Sequence, residues 1–363
     1  MPHEDCRHDA ALVARAVPRS LGACCPIGPR PKHACRMAAA DQPSSSAPDG
    51  PDHDPEPIPM LTYRATALAL KAFSLNSATK SAYRLIGNVI GGKRRAGGVQ
   101  SHYLSRADQN LAFIEQYEGI RDGMRVLELG TGWVHWEALF LRAFYEVEAT
   151  VFDVWDNRQF DGFLTHVNAL RAALPSLTDR GPERTAKACA LLDRVAASRN
   201  FDEAYAILGF NYMLSPDGSL DAIPDGSLDL VFSSDVMEHI PHDSLPVLAA
   251  SLARVVRPGG LVAQQIVPSD HLCIYAKKAH RKAYLQYSDS EWARWFENDV
   301  QYQNRWQQSD FRRLFRDAGF EILSEAIIGR ADTSDLKIAK RWADYSREDL
   351  DATVTRMLVR RPA

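Results

Sequence analysis

Two glycines and two carboxylates stand where the chain can bring its backbone close to a ligand. A short apolar run ends in the sequence Glu-Leu-Gly-Thr-Gly, which contains Glu128, Gly130 and Gly132. The two glycines permit a tight turn and a close approach of the backbone to a ligand. Asp153 comes 25 residues after Glu128, at the end of a second apolar run. A carboxylate there can accept hydrogen bonds from both hydroxyls of a ribose. The pattern therefore predicts a site for a ligand that carries a ribose.

Three histidines can supply a group that takes up a proton near neutral pH. His271 follows the fifth predicted strand with Asp270 beside it, and we predict these two residues as a general base and its partner. His239, which follows the fourth predicted strand, is the second candidate base, and His135 is the third. For each histidine, a purely structural role is the alternative.

The elements that must position these residues alternate between strand and helix, which indicates a parallel sheet covered by helices. In such a sheet ligands bind beyond the carboxyl ends of the strands. Strands are predicted over residues 125–129, 149–154, 211–214, 228–233, 261–267, 320–328 and 353–360. Helices are predicted over residues 105–117, 136–144, 160–174, 183–208, 243–256 and 310–318. The candidate residues therefore fall at one edge of the sheet.

The composition is that of an ordinary globular protein, with 45% hydrophobic and 25% charged residues in a chain of 363. A net charge of -3 gives no electrostatic case for nucleic acid as a partner. No apolar run reaches the ~18–20 residues of a membrane-spanning helix. Four of the six cysteines fall within the first 36 residues, and Cys189 and Cys273 lie far apart. This is no disulfide framework, so a reducing cytoplasm is predicted.

The first 60 residues differ from the rest, because they hold 11 of the 20 prolines and no aromatic residue. Such a segment buries too little apolar surface to offset its ordering entropy, so we predict that residues 1–60 are disordered. Its possible metal ligands lack the paired Cys-x-x-Cys spacing of zinc sites. They are Cys6, His8, Cys24, Cys25, His33 and Cys35. No metal site is predicted in this chain.

Residues 61–100 are predicted to form a helical extension that ends in a flexible, basic hinge over residues 91–98. We expect this extension to pack on the main domain, and the alternatives are peripheral contact with a membrane surface or a cover over an active site. Residues 271–311 are rich in aromatic side chains and are predicted to form an acceptor-binding cap. Its rings can stack on a sugar or a flat molecule, and Arg281, Arg294 and Arg305 can meet anionic groups. The alternative is that the aromatic residues form the packed core of the cap.

The order of these motifs resembles that of the class I S-adenosylmethionine (SAM)-dependent methyltransferases, in the bacterial branch that acts on small molecules and glycans. The resemblance rests on residues 126–132, Asp153, residues 225–239 and the Arg-Pro-Gly-Gly-Leu sequence at 257–261. It implies a methyltransferase domain over residues 101–363. It also implies an α/β fold with a Rossmann-like, seven-stranded, mostly parallel sheet that ends in an antiparallel C-terminal hairpin.

The resemblance further implies a contact with SAM for each candidate residue. The glycine segment would line the methionine end, Asp153 would hold the ribose, and Asp217 would meet the adenine amino group. The full set of implied cofactor contacts is Glu128, Gly130, Thr131, Gly132, Asp153, Asp217, Ser234 and Asp235. The implied reaction is methyl transfer to a small molecule or glycan, with oxygen the preferred atom. One of the histidines would then take the proton of the acceptor hydroxyl.

The sequence departs from the family pattern at Val134, where the family loop carries a third glycine. Trp133, His135 and Trp136 flank this position, and the bulk of Val134 and these neighbours is expected to reshape the methionine pocket. A second hypothesis is therefore a catalytically inactive SAM-fold protein that serves as a binding or scaffold subunit. A third is a nicotinamide-dependent oxidoreductase. It is disfavoured because Gly-x-Gly-x-x-Gly would require glycine at position 135, where the chain has His135.

Overall fold

The computed structural model describes residues 58–177 and 180–363. The disorder predicted for residues 1–60 therefore lies outside the described residues, except at its end, where the first helix already begins at Ile58. The cysteines and histidines of that segment lie outside them as well.

A single seven-stranded sheet forms the centre of the described part, in the order β3-β2-β1-β4-β5-β7-β6. The strands are Arg125–Leu129 (β1), Glu148–Asp153 (β2), Phe210–Leu214 (β3), Leu228–Ser234 (β4), Val256–Ile266 (β5), Glu321–Arg330 (β6) and Ala352–Arg360 (β7). The first five run parallel, and β7 is antiparallel to both β5 and β6. The predicted fold class is confirmed, including the antiparallel C-terminal hairpin.

Helices cover both faces of this sheet. They are Ile58–Phe73 (α1), Ser77–Ala96 (α2), Ser101–Glu115 (α3), Trp136–Phe144 (α4), Phe160–Ala173 (α5), Pro182–Ala196 (α6), Phe201–Leu208 (α7), Ser244–Val255 (α8), Asp289–Trp295 (α9), Gln308–Asp317 (α10) and Arg347–Asp351 (α11). Helices α3 to α7 share one apolar core with one face of the sheet, and α8 and α10 share a second core with the other face. Burial on both faces explains why β1 and β4 read as almost continuous apolar runs.

The predicted hinge at residues 91–98 is wrong over most of its length, because α2 continues as a helix to Ala96. Asn76 caps its beginning with a capping box, and Lys93, Arg94 and Arg95 fall in the last turn, where positive charge favours a helix. These end effects oppose the cost of three helical glycines, Gly87, Gly91 and Gly92. No residue of α2 is buried, and no described helix is both long and apolar enough to cross a membrane.

A third apolar core lies in the cap and includes Tyr63 and Leu70 of α1 together with Trp292 and Phe296 of the aromatic stretch. Arg305 belongs to this core, because it is 5% exposed, its guanidinium lies 4.7 Å from the centre of the Trp292 ring, and it pairs with Asp289. The aromatic stretch therefore packs the cap, and Arg305 is not free to meet an anionic acceptor.

Candidate functional site

The loop after β1 places its two glycines in left-handed backbone conformations, with φ of 72° at Gly130 and 63° at Gly132. A Cβ on Gly130 would lie 2.6 Å from a methyl group of Val236, which follows β4. A Cβ on Gly132 would meet no atom within 4 Å. The β1 and β4 exits therefore touch at Gly130, and the backbone at Gly132 faces open space that a ligand can fill.

Asp153 ends β2 directly beside this loop. Its carboxylate accepts hydrogen bonds from the backbone N–H groups of Gly132 (2.8 Å), Val154 (2.8 Å) and Trp155 (3.2 Å). Burial raises the pKa of Asp153, while the three N–H groups favour its charged form. A carboxylate offers about four acceptor sites. Asp153 therefore orders the glycine loop and keeps capacity for one more donor.

Below the loop, a buried chain of hydrogen bonds joins Glu128, Thr131, His135 and Tyr205. The Thr131 hydroxyl donates to Glu128 (2.6 Å) and lies 2.7 Å from Nδ1 of His135, whose Nε2 is 2.7 Å from the Tyr205 hydroxyl. Burial raises the pKa of Glu128 to about 8 and lowers that of His135 to about 3. His135 is completely enclosed, so this geometry gives it a structural role instead of that of a base.

This burial predicts how stability depends on pH. The pKa of His135 is 6.5 in the unfolded chain and about 3 in the folded protein, so below pH 6.5 the unfolded state binds a proton that the folded state excludes. Relative to His135→Asn, which keeps a residue that tolerates left-handed backbone, the native protein should lose about 2 kcal/mol between pH 7.5 and pH 5. Urea unfolding of both proteins at the two pH values measures the difference. Parallel pH profiles would contradict a neutral, buried His135.

Val134, the departure from the family pattern, turns away from the ligand side. It is buried in the core on the α3–α7 face, where it lies against Gly162 of α5. Val134 itself therefore adds no bulk on the ligand side of the loop. The residue that reaches the surface is Trp133, which is 39% exposed.

Helix α2 lies over the exits of β1 and β2. The Trp133 indole N–H donates to Asn88 (3.0 Å), and the guanidinium of Arg95 lies over the same ring. Arg84 lies 3.4 Å from the centre of the Trp155 ring. These contacts place a polar face of α2 above the loops that contain Gly132 and Asp153.

The turn after β3 contains Asp217 in an exposed position. Its carboxylate accepts hydrogen bonds from the Ser215 hydroxyl (2.7 Å) and the Ser219 N–H (3.0 Å), and these bonds lower its pKa. A Cβ on Gly218 would lie 3.9 Å from Val154. The turn that contains Asp217 therefore lies beside Val154, the residue after Asp153. A ligand whose ribose is bound at Asp153 would have its other end near this turn.

Ser234 and Asp235 follow β4 and are held by side chains that the sequence did not single out. The carboxylate of Asp235 pairs with Arg106 of α3 (2.8 Å) and accepts from Gln265 (3.0 Å), while Asn110 donates to the Ser234 hydroxyl (2.9 Å). Asp235 has a φ of 61°. Arg106 and Asn110 lie far from β4 in sequence, so no local pattern pointed to them.

The structure brings His239 and His271 together, with ring centres 4.7 Å apart. His239 lies 2.7 Å from the Tyr302 carbonyl through Nδ1, which must therefore be the protonated nitrogen. Burial lowers the pKa of His239, and it lowers that of His271 to about 3. Both rings are therefore neutral near pH 7, and each keeps one nitrogen lone pair.

Asp270 does not act with this pair. Its buried carboxylate accepts hydrogen bonds from the Tyr63 hydroxyl (2.6 Å) and from the Leu272 N–H (2.9 Å), and burial raises its pKa to about 6. These bonds tie α1 to the start of the cap. The geometry therefore gives Asp270 a structural task in place of the catalytic one that we predicted.

The segment at residues 302–304 fixes both histidine loops. Asn304 donates from its side chain to the Met237 carbonyl (2.8 Å), and its backbone N–H donates to the Glu238 carbonyl (2.8 Å). The backbone N–H of His271 donates to the Gln303 side chain (3.2 Å). The segment at residues 302–304 therefore holds the loop of His239 and the loop of His271 at once. This fixes the positions of the two imidazoles without a bound ligand.

Together these residues fit SAM. Gly132 leaves room for the methionine portion, Asp153 keeps an acceptor site for a ribose hydroxyl, and Asp217 lies beyond the next strand. Ser234 and Asp235 end β4 on the same edge, with the histidine pair beyond them.

Residues 99–325 match a family model described as a methyltransferase domain, which is more than half of the chain. No curated protein matches. Among solved structures, the chain is similar to phosphoethanolamine N-methyltransferase 2 of Haemonchus contortus in complex with SAM. The identity is 14% and the TM-score 0.39, over 70% of this chain and 52% of that one. The chain thus spans about half the length of that protein.

Two further solved structures are similar over most of their own length. One is a SAM-dependent methyltransferase from Mesorhizobium loti, at 15% identity and a TM-score of 0.36, covering 66% of this chain and 92% of that one. The other is a SAM-dependent methyltransferase from Methanosarcina mazei, at 14% identity and a TM-score of 0.37, covering 68% and 96%. The region matched by the family model contains every cofactor contact predicted above, and both histidines of the pair.

Proposed function

The chain belongs to the methyltransferase domain family, and from this premise we propose that it is a SAM-dependent methyltransferase that methylates a hydroxyl group of a small molecule or glycan. The observation that supports an oxygen acceptor is the pair of neutral imidazoles at the exits of β4 and β5. An amine loses its proton readily in water, whereas a hydroxyl needs a group that removes its proton or stabilises its oxyanion.

In the proposed mechanism, SAM supplies a methyl group already activated by its sulfonium. The protein's part is to hold donor and acceptor in line, which is worth several kcal/mol of the barrier. Asp153 and the Gly132 backbone would hold the adenosine and methionine parts, with Asp217 at the adenine. His239 and His271 would activate the acceptor hydroxyl as its oxygen attacks the methyl carbon.

The acceptor would enter between the cap and the β4 and β5 exits. The cap wall there includes Tyr275, whose hydroxyl lies 3.0 Å from that of Tyr83 in α2. Both α2 and the cap would therefore border the acceptor. We propose the cytoplasm as the compartment, a proposal supported by the free cysteines Cys189 and Cys273.

Two measurements test the proposal in order. Calorimetric titration with S-adenosylhomocysteine (SAH) should give one binding site per chain, whereas NAD should give no heat. Turnover of methyl-labelled SAM is then followed with a panel of hydroxylated small molecules and glycans, and with matched amines. SAH binding without turnover of any acceptor would favour the inactive scaffold hypothesis, and transfer to amines alone would overturn the oxygen assignment.

A further inference from the structure

Glu238 is a buried carboxylate for which methyl transfer, as described so far, provides no role. It is 1% exposed, and neither of its oxygens has a hydrogen-bond partner. The backbone N–H groups of Glu238 itself and of Val267 face it without closing a hydrogen bond. An unsatisfied buried carboxylate is costly, and in native structures such a group calls for a partner that supplies positive charge or a proton.

The two imidazoles described above are the immediate neighbours of this carboxylate. One ligand atom from each of Glu238, His239 and His271 lies within 4.8 Å of the others. Zn–N and Zn–O bonds are ~2.0–2.2 Å long, so donor atoms around one ion lie roughly 3–3.5 Å apart. Small rotations of the two imidazoles, which are only partly buried, would bring the three atoms to that spacing.

The outer contact of His239 is that of a metal ligand. A histidine that binds a metal through one nitrogen usually donates its other N–H to a carbonyl or carboxylate. His239 does so from Nδ1 to the Tyr302 carbonyl, which leaves the lone pair on its Nε2. The segment at residues 302–304 holds the loops of both histidines in place.

We propose that Glu238, His239 and His271 bind one divalent transition-metal cation, such as Zn²⁺, Mn²⁺, Fe²⁺ or Co²⁺. Two imidazoles and one carboxylate suit these ions, whereas Mg²⁺ and Ca²⁺ prefer all-oxygen ligands. Three protein ligands leave coordination positions open, which is the pattern of catalytic and not of structural sites. The partial exposure of both histidines gives the ion a path to solvent and to an acceptor.

This inference deepens the proposed function and rests on it, because it specifies how the histidine pair activates the hydroxyl. Binding to the cation would lower the pKa of the acceptor hydroxyl, as it lowers the pKa of metal-bound water. The O–H proton would pass to solvent, and the oxygen electron pair would form the new O–CH₃ bond. The S–CH₃ bond electrons would stay on sulfur, which gives neutral SAH.

The first test measures metal binding without SAM or acceptor. The full chain is freed of metal with a chelator, dialysed and titrated with Co²⁺ alone, while calorimetry and the visible ligand-field absorption are followed. One Co²⁺ per chain is expected, with nitrogen and oxygen ligation and no thiolate charge-transfer band. The absence of that band separates this cluster from the N-terminal cysteines.

Variants then locate the ion. Glu238→Ala and His271→Ala should each weaken Co²⁺ binding by more than the ~10–100-fold that loss of an outer-shell partner costs. His280→Ala serves as the matched control, because it removes an imidazole that contacts the Asp332 carbonyl outside the cluster. SAH affinity, measured on every variant, shows that the cofactor site is still folded.

The outcomes separate the two proposals. If the native chain binds SAH but no Co²⁺, or binds Co²⁺ equally well after both substitutions, the metal site is overturned and an imidazole base with a protonated Glu238 replaces it. If one Co²⁺ binds at the cluster but no hydroxyl acceptor is methylated with any of the four cations, the metal site stands and the proposed reaction fails.

Discussion

Replacing His271 with alanine is expected to lower the turnover of methyl transfer by ~10²–10⁴-fold, the range for loss of a group that assists proton transfer. The SAH affinity should change little, because the contacts of His271 are with the His239 ring and Gln303, away from the glycine loop. The effect should appear in kcat and kcat/KM together, since an interaction that exists only in the transition state is removed.

A control variant distinguishes a role of His271 in the reaction from a purely structural role. His242 provides the comparison, because its ring contacts the Asn304 carbonyl and the Trp306 indole close to the same segment. If His242→Ala lowers turnover as much as His271→Ala does, the loss reflects a disturbed loop and not the chemistry of the His271 ring. A drop in SAH affinity with kcat unchanged would equally contradict the assignment.

Replacing Asp153 with alanine is expected to weaken SAH binding by ~1–3 kcal/mol, or ~5–150-fold, because a charge-assisted hydrogen bond to the ribose is lost. The same change releases the N–H groups of Gly132, Val154 and Trp155. We therefore also expect a lower melting temperature, and binding must be measured where the variant is fully folded. Calorimetric titration with SAH provides the affinity.

Two companion variants show how Asp153 acts. Asp153→Asn keeps one acceptor oxygen and should lose less affinity than the alanine variant. Asp156→Ala removes another carboxylate of the same loop, one that forms an ion pair with Arg158. This change should leave SAH affinity within about twofold, because exposed ion pairs contribute little. Equal losses in Asp153→Ala and Asp156→Ala would show that general negative charge, and not a specific contact, is responsible.

The fold and the cofactor edge could be predicted because their signals are local. Buried parallel strands require continuous apolar runs, and a left-handed turn beside a ligand requires glycine, so β1, β4 and the bend at Gly130 and Gly132 were visible in short stretches of sequence. The position of Asp153 at the end of β2 follows from the same reasoning. These features depend on residues that are neighbours in the chain.

The outcome at other positions depended on packing between distant segments. His135 and Asp270 were both predicted to take part in proton transfer. In the structure, each is instead hydrogen-bonded to a tyrosine that is distant in sequence, His135 to Tyr205 and Asp270 to Tyr63, and both have structural roles. Sequence spacing contains no record of which side chain a residue will meet.

The amino-acid sequence by itself determined the sheet, the glycine bend and the acid at the end of β2, since periodicity and backbone conformation are set by adjacent residues. Only the tertiary structure decided that Glu238 joins His239 and His271 in one cluster. The physical reason is that β4 and β5 lie side by side and the segment at residues 302–304 fixes both of their exits. The spacing of Glu238, His239 and His271 in the sequence matches no metal-ligand motif, yet the fold brings their ligand atoms close together.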